Sequence, residues 1–181
     1  MNDPIATIYD LLETVMDPEI PTLSIVDLGI VTGVALNDAG EPHVKLTPTF
    51  SGCPALKMLE TMVAEKLLES GYHNPRVSTS FEVAWNSNMI SEKGREALLK
   101  HGLAPPPKHD GYIELDVLSD IACPFCGSRN TTMQTPFGPT LCRSMHYCKN
   151  CSNAFEAFKP VTYPFLQLTT AVAQPYLLWR S

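Results

Sequence analysis

Ile5, Ile8, Leu12 and Val15 recur at the interval of one helix face, and Asp17-Pro18-Glu19-Ile20-Pro21 ends that helix. Proline drives the residue before it out of the helical region, so two prolines in five residues are a firm stop. Asp27-Leu28-Gly29 leads into the apolar run 30–36, a predicted strand; Asn37-Asp38-Ala39-Gly40 supplies a turn, and residues 43–49 form the returning strand of a hairpin. A second helix follows Ser51-Gly52-Cys53-Pro54, with Leu56, Leu59, Val63 and Leu67 on one face and Gly71 as its end. From Val77 to Trp85, apolar positions alternate with Ser78, Ser80, Glu82 and Ala84, which predicts a half-buried strand. Ser91 is placed to cap a third helix that ends at Lys100-His101-Gly102. The order α-β-β-α-β-α predicts an α/β (α+β) fold, a small mixed sheet with packed helices, followed by a small metal-stapled ribbon.

The periodic pattern breaks at Ala104-Pro105-Pro106-Pro107-Lys108-His109-Asp110-Gly111, where three consecutive prolines favour an extended, stiff spacer. Three parts are expected: an α/β domain over 1–107 that includes the start of this spacer, a cysteine module over 108–160, and an apolar tail over 161–181. The cysteine module is too small to bury much of a core unaided. The tail is rich in aromatic and leucine residues but broken by Pro164 and Pro175, which suits packing on the protein or on a partner.

Composition narrows the class. With 181 residues, 44% hydrophobic and 18% charged, the chain reads as globular; its formal charge of −6 speaks against a nucleic-acid groove, which needs clustered Lys and Arg. No apolar run reaches the ~18 residues of a membrane helix. Met1-Asn2-Asp3-Pro4 lacks the basic start and apolar run of a signal peptide, so a cytoplasmic protein is expected. There the six cysteines are thiols or metal ligands rather than disulfides.

Four of those cysteines form two C-x2-C knuckles, Cys123-Pro124-Phe125-Cys126 and Cys148-Lys149-Asn150-Cys151, with residues 127–147 between them. Two knuckles at this separation can set four thiolates at the corners of a tetrahedron, which suits Zn2+ as a structural staple; one iron ion or an iron–sulfur cluster is the alternative. Gly127 permits the left-handed residue that closes the first turn, whereas Ser152 closes the second less ideally. Four-cysteine closure leaves no open position and so disfavours a catalytic metal. Cys142 and His146 lie close by in sequence, as ligand substitutes or outer donors, or as plain buried side chains; the sharper reading of Cys142 is a fifth ligand for cluster handling.

Cys53 falls near the start of a helix, where the partial positive charge of the N-terminus lowers a thiol pKa. It is a candidate transient metal ligand or nucleophile, set against the reading of a small buried residue; no His or Asp adjacent in sequence is there to activate it for hydrolysis. Asp17, Glu19 and Asp27 read by themselves as turn and helix-stop chemistry.

Asp17-Pro18-Glu19, Asp27-Leu28-Gly29 and Ser51-Gly52-Cys53-Pro54 at the head of a helix resemble the small metal–sulfur cluster assembly domain of iron–sulfur assembly factors. Ser91-Glu92-Lys93-Gly94-Arg95-Glu96, then Gly102-Leu103-Ala104-Pro105-Pro106, Cys123-Pro124-Phe125-Cys126-Gly127, Phe137-Gly138-Pro139-Thr140, Cys142, the second knuckle and Phe155 to Lys159 resemble the D (or J) subunit family of phenylacetyl-CoA epoxidase. The resemblance spans about residues 5–160. Two features depart from it, Asn88-Met89 after Trp85 and the long tail after Lys159. It implies an accessory protein without catalysis of its own, which helps assemble an iron–sulfur or di-iron centre on the oxygenase and reductase subunits of the system. It implies Cys53 as transfer ligand for transient iron or an iron–sulfur cluster, Asp17, Glu19 and Asp27 shaping its site, and Cys123, Cys126, Cys148 and Cys151 holding the ribbon metal. A docking subunit and a rubredoxin-like electron carrier are the competing readings. Self-association into a homo-oligomer stays open.

Overall fold

The computed structural model describes residues 3–50, 52–110 and 121–161. The apolar tail lies outside them, apart from Val161, as do residues 111–120.

The first helix, α1 (Pro4–Leu12), starts where Asp3 accepts a hydrogen bond from the Ile5 amide at 3.0 Å and Pro4 takes the first turn. Ile8 and Leu12 are fully buried. Residues 13–30 then wind without regular structure, yet they bury Val15, Ile20, Leu23, Ile25, Leu28 and Ile30 in the same core. The Asp17 carboxylate holds the turn by accepting from the Glu19 and Ile20 amides, each at 2.9 Å.

Strand β1 (Val31–Leu36) pairs antiparallel with β2 (Pro42–Leu46), and β2 pairs parallel with β3 (Arg76–Thr79), in the order β1-β2-β3. The hairpin turn is closed by the Asn37 side-chain oxygen, which accepts from the amides of Ala39 and Glu41. Helix α2 (Leu56–Glu69) makes the crossover from β2 to β3 and buries Leu59, Val63 and Leu67. The strand expected over 77–85 stops at Thr79. Its partner β2 ends at Leu46, whose carbonyl takes a last bond from the Ser80 amide at 2.8 Å. Beyond that point the alternation has nothing to pair with: Phe81 and Val83 turn outward, 61% and 44% exposed. Trp85 turns inward, fully buried, and donates from Nε1 to the Leu28 carbonyl at 3.1 Å.

Helix α3 (Glu92–Lys100) is capped as expected, Ser91 accepting from the Gly94 amide at 2.9 Å. Gly94 is required by close approach, because a Cβ there would lie 2.6 Å from the Asp27 carbonyl oxygen.

The proline segment is strapped down rather than free-standing. β4 (Leu103–Ala104) at its start pairs parallel with the last strand, and Arg95 of α3 donates to the Pro106 and Ser87 carbonyls. The second sheet has the order β4-β7-β6-β5, with β5 (Thr131–Thr135), β6 (Arg143–Cys148) and β7 (Ala154–Phe158) forming an antiparallel meander. Its own core is small: Ala104, Ile121, Phe155 and Ala157 with Cys123 and Cys148. Phe158, at the end of β7, packs into the first core, 6.0 Å from the Trp85 ring. Among the described residues no helix is long and apolar enough to cross a membrane.

Phe158→Ala is therefore expected to lower stability by about 3–5 kcal/mol, the range for emptying a buried aromatic site, although Phe158 belongs by sequence to the cysteine module. Urea unfolding followed by tryptophan fluorescence reads it; a change below about 1 kcal/mol would mean that the two sheets do not share a core.

Candidate functional site

The two knuckles fold as near copies. In each, the first cysteine's amide donates to a carbonyl five residues on, Cys123 to Ser128 and Cys148 to Asn153, both at 2.9 Å. In each, the residue after the second cysteine is left-handed, Gly127 at φ +71° and Ser152 at φ +58°. Ser152 thus makes the same turn, with the strain a Cβ brings there. The sulfurs of Cys123 and Cys151 are 3.7 Å apart, those of Cys126 and Cys148 3.6 Å, and all four lie within 4.8 Å of one another. Metal–sulfur bonds of about 2.3 Å in a tetrahedron put sulfurs about 3.8 Å apart. The residues fit one tetrahedral ion; a multi-iron cluster needs its thiolates farther apart and fits less well. Asn150 and Asn153 point side-chain amides at Cys126 and Cys151, at 3.8 and 3.5 Å, which steadies bound thiolates. Burial, and hydrogen bonding with the Cys151 and Cys126 thiols, push the Cys123 pKa up to about 11, so an arriving cation displaces a proton there.

His146 is fully buried, stacks on Phe155 at 5.4 Å and shares a 2.9 Å hydrogen bond with Ser144. Burial lowers its pKa and keeps the ring neutral. It is a core side chain and stands outside the four-sulfur group.

Cys142 also stands outside that group. It precedes β6, at the opposite end of the strand from Cys148, and packs against the first core. There it lines a cavity of about 30 Å³ together with Asp17, Glu19 and Cys53, against an apolar wall that includes Leu56, Leu59 and Phe158. That is room for one water or one metal ion. The Thr140 hydroxyl lies 3.1 Å from the Cys142 sulfur, and the Cys142 carbonyl accepts from the Lys159 amide at 2.8 Å. Next to it, Arg143 pairs with Glu156 at 2.9 Å and donates to the Glu19 carbonyl at 3.2 Å, tying the ribbon to the Asp17–Glu19 turn.

The structure corrects the expectation of an acidified Cys53. Helix α2 begins at Leu56 with Ala55 as its N-cap, so Cys53 precedes the helix end rather than occupying it. Burial outweighs the hydrogen bond from Ala55 and pushes the thiol pKa up, and the charges of Glu19, Asp17 and Cys142 act in the same direction. Burial likewise raises Cys142, against the Thr140 hydrogen bond and the Arg143 charge. Asp17 is raised too, burial exceeding its two amide hydrogen bonds. The two thiols of the cavity thus hold their protons more firmly than free cysteines and give them up to an arriving cation.

Asp27 is not among them. It lies at the start of α3, accepting from the Ser91 hydroxyl at 2.6 Å and the Ser24 hydroxyl at 2.9 Å, with Lys93 at 3.3 Å. Of the residues singled out in sequence, Asp17, Glu19 and Cys53 come together and Asp27 stands apart. Sequence reasoning missed Arg143 and placed Cys142 beside the ribbon. Neither has a local sequence signal, because the partners that define them, Glu19 and Cys53, are distant in the chain.

Residues 5–72 match the model of an iron–sulfur cluster assembly protein family, and residues 111–159 match the PaaD zinc beta ribbon domain. An Escherichia coli protein named as the D-type component of a 1,2-phenylacetyl-CoA epoxidase is 36% identical over 153 residues, 84% of this chain and 90% of its own. A protein of Porphyromonas gingivalis named as an Fe-S protein maturation auxiliary factor is 35% identical over 96 residues, 52% of this chain and 88% of its own. A solved domain of unknown function from Bacillus anthracis shares 26% identity at a TM-score of 0.49, covering 52% of this chain and 91% of that one. With both domain types present in the same order and the likeness to the Escherichia coli protein running through the junction between them, the chain belongs to the D (or J) subunit family of phenylacetyl-CoA epoxidase.

Proposed function

We propose that this chain is a maturation factor of a phenylacetyl-CoA epoxidase, which helps place iron, as an ion or within an iron–sulfur unit, on the oxygenase or reductase subunits. It acts in the cytoplasm, where thiols stay reduced. The observation that carries the reading is the contrast between two thiol sites in one chain. The ribbon site closes on itself with four sulfurs, suited to a resident zinc that stabilises the fold without exchanging. The Cys53 site is a small, half-buried cavity with sulfur and carboxylate donors. A mixed, incomplete donor set can take an ion and give it up again. In this reading Cys53 is the transfer ligand, Asp17 and Glu19 supply oxygen donors, and Asp27 acts at one remove by fixing α3 against the turn. The names of the relatives, an epoxidase subunit and an iron–sulfur maturation factor, agree with this assignment.

Cys53→Ala, co-produced with the other epoxidase subunits, is expected to leave the ribbon metal and melting temperature of this chain unchanged while iron in the partners and epoxidation fall to the level seen without it. Full iron and activity in that variant would move the reading to a docking subunit. Metal analysis of the purified chain should give one zinc and no visible absorption; iron with a reversible redox couple would favour electron transfer.

The thiolate is the reactive form of cysteine, so the raised pKa of Cys53 has a direct readout. Iodoacetamide labelling of Cys53, followed by mass spectrometry across pH, should reach half its maximal rate at a higher pH than for an unstructured cysteine. Glu19→Gln should move that midpoint down, since it removes a negative charge. A midpoint below the ordinary thiol value would restore the acidified-thiol expectation.

A further inference from the structure

We propose that Cys142 completes the cargo site: Cys53 from the first unit and Cys142 from the ribbon unit together hold one divalent transition-metal ion, Fe2+ as cargo, with Asp17 and Glu19 as oxygen donors. This rests on the maturation reading and deepens it. Both thiols line the same cavity, whose volume of about 30 Å³ suits one ion and not a multi-iron cluster. Cys142 has no role at the ribbon, since the four-sulfur group is complete without it. Its position is fixed from two sides, by the Lys159 amide on its carbonyl and by the grip of neighbouring Arg143 on the Glu19 carbonyl. The second anchor ties the Cys142 loop to the turn that carries the carboxylates. Thiolates select borderline and soft cations such as Fe2+ over Mg2+ or Ca2+, and the carboxylates hold affinity below that of a four-thiolate site. Among the described residues only the ribbon cysteines bring three or more ligand atoms within 4.8 Å of one another, so the cavity's donors must draw together around an arriving ion. That rearrangement costs affinity and favours release. Binding is ligand exchange without redox: two metal–sulfur bonds replace bonds from the ion to water, both thiol protons leave to solvent, and the ion keeps its charge.

Co2+ is the probe, because thiolate ligands give it a charge-transfer band that counts them. Full-length, zinc-loaded protein is titrated anaerobically with Co2+, as wild type, Cys53→Ser and Cys142→Ser, with zinc content confirming a folded ribbon. The expected result is one Co2+ per wild-type chain beyond the zinc. Each serine variant should bind about tenfold or more weakly, with a visibly smaller thiolate band. If Cys142→Ser loses its zinc, wild type alone still decides: bound Co2+ should protect Cys53 and Cys142 together from iodoacetamide. A Cys142→Ser titration identical to wild type, protection of Cys53 alone, or no thiolate band in wild type would each overturn the proposal. The maturation reading fails separately, if partner iron is unaffected by Cys53→Ala while Co2+ still binds through both thiols.

Discussion

Four thiols gathered with every sulfur within 4.8 Å of the others are the constraint on which the second half of this molecule depends. Such a cluster has little to recommend it without a cation, because burial opposes the thiolates and their charges repel. With an ion in place, small zinc modules gain about 10–16 kcal/mol of apparent binding energy. The local core of Ala104, Ile121, Phe155 and Ala157 could not substitute for that. Everything the ribbon does for the first unit follows from this closure. Strand β6 carries Cys148 at one end and Arg143 at the other, so the ion that fixes the knuckle also fixes, about 17 Å away at strand rise, the loop that meets the Asp17–Glu19 turn.

The first unit supplies the complementary half. Its irregular stretch 13–30 buries more of the core than α1 does, and it does so to present a turn at the surface. Asp17 shapes that turn through its own carboxylate, which accepts two amides, and this same use draws the carboxyl inward, where burial keeps it more easily protonated. Polar groups set in an apolar wall give this cavity a mixed and incomplete donor set. The ribbon's fixed set of sulfurs has the opposite character.

Much of this was legible in the sequence where a single local rule decides. The capping serine at Ser91, the helix face of Leu59, Val63 and Leu67, and the left-handed residue after each knuckle's second cysteine all follow from nearest-neighbour chemistry. The errors were of another kind. The alternation from Phe81 to Trp85 reads as strand, but a strand needs a partner, and β2 had already ended at Leu46. Cys53 reads as a helix-terminal thiol, but how deeply it is buried, and what charges face it, are set by residues far away in sequence. Cys142 reads as a neighbour of the ribbon, since only five residues separate it from the ligand Cys148, whereas its true neighbours are near positions 17, 19 and 53.

The pairing of β4 with β7 bears on how this protein can be taken apart. Leu103 and Ala104 are the hydrogen-bonded edge of a sheet whose other strands come from the ribbon, and Phe158 returns the exchange by filling space beside Trp85. A gene cut at the three prolines would sever that sheet and leave an unpaired edge on one fragment and an empty aromatic pocket in the other. Swapping ribbons between relatives is therefore not a matter of joining two modules at a linker. A workable chimera must carry β4 along with the ribbon and re-match the Trp85 pocket to whichever residue stands at position 158.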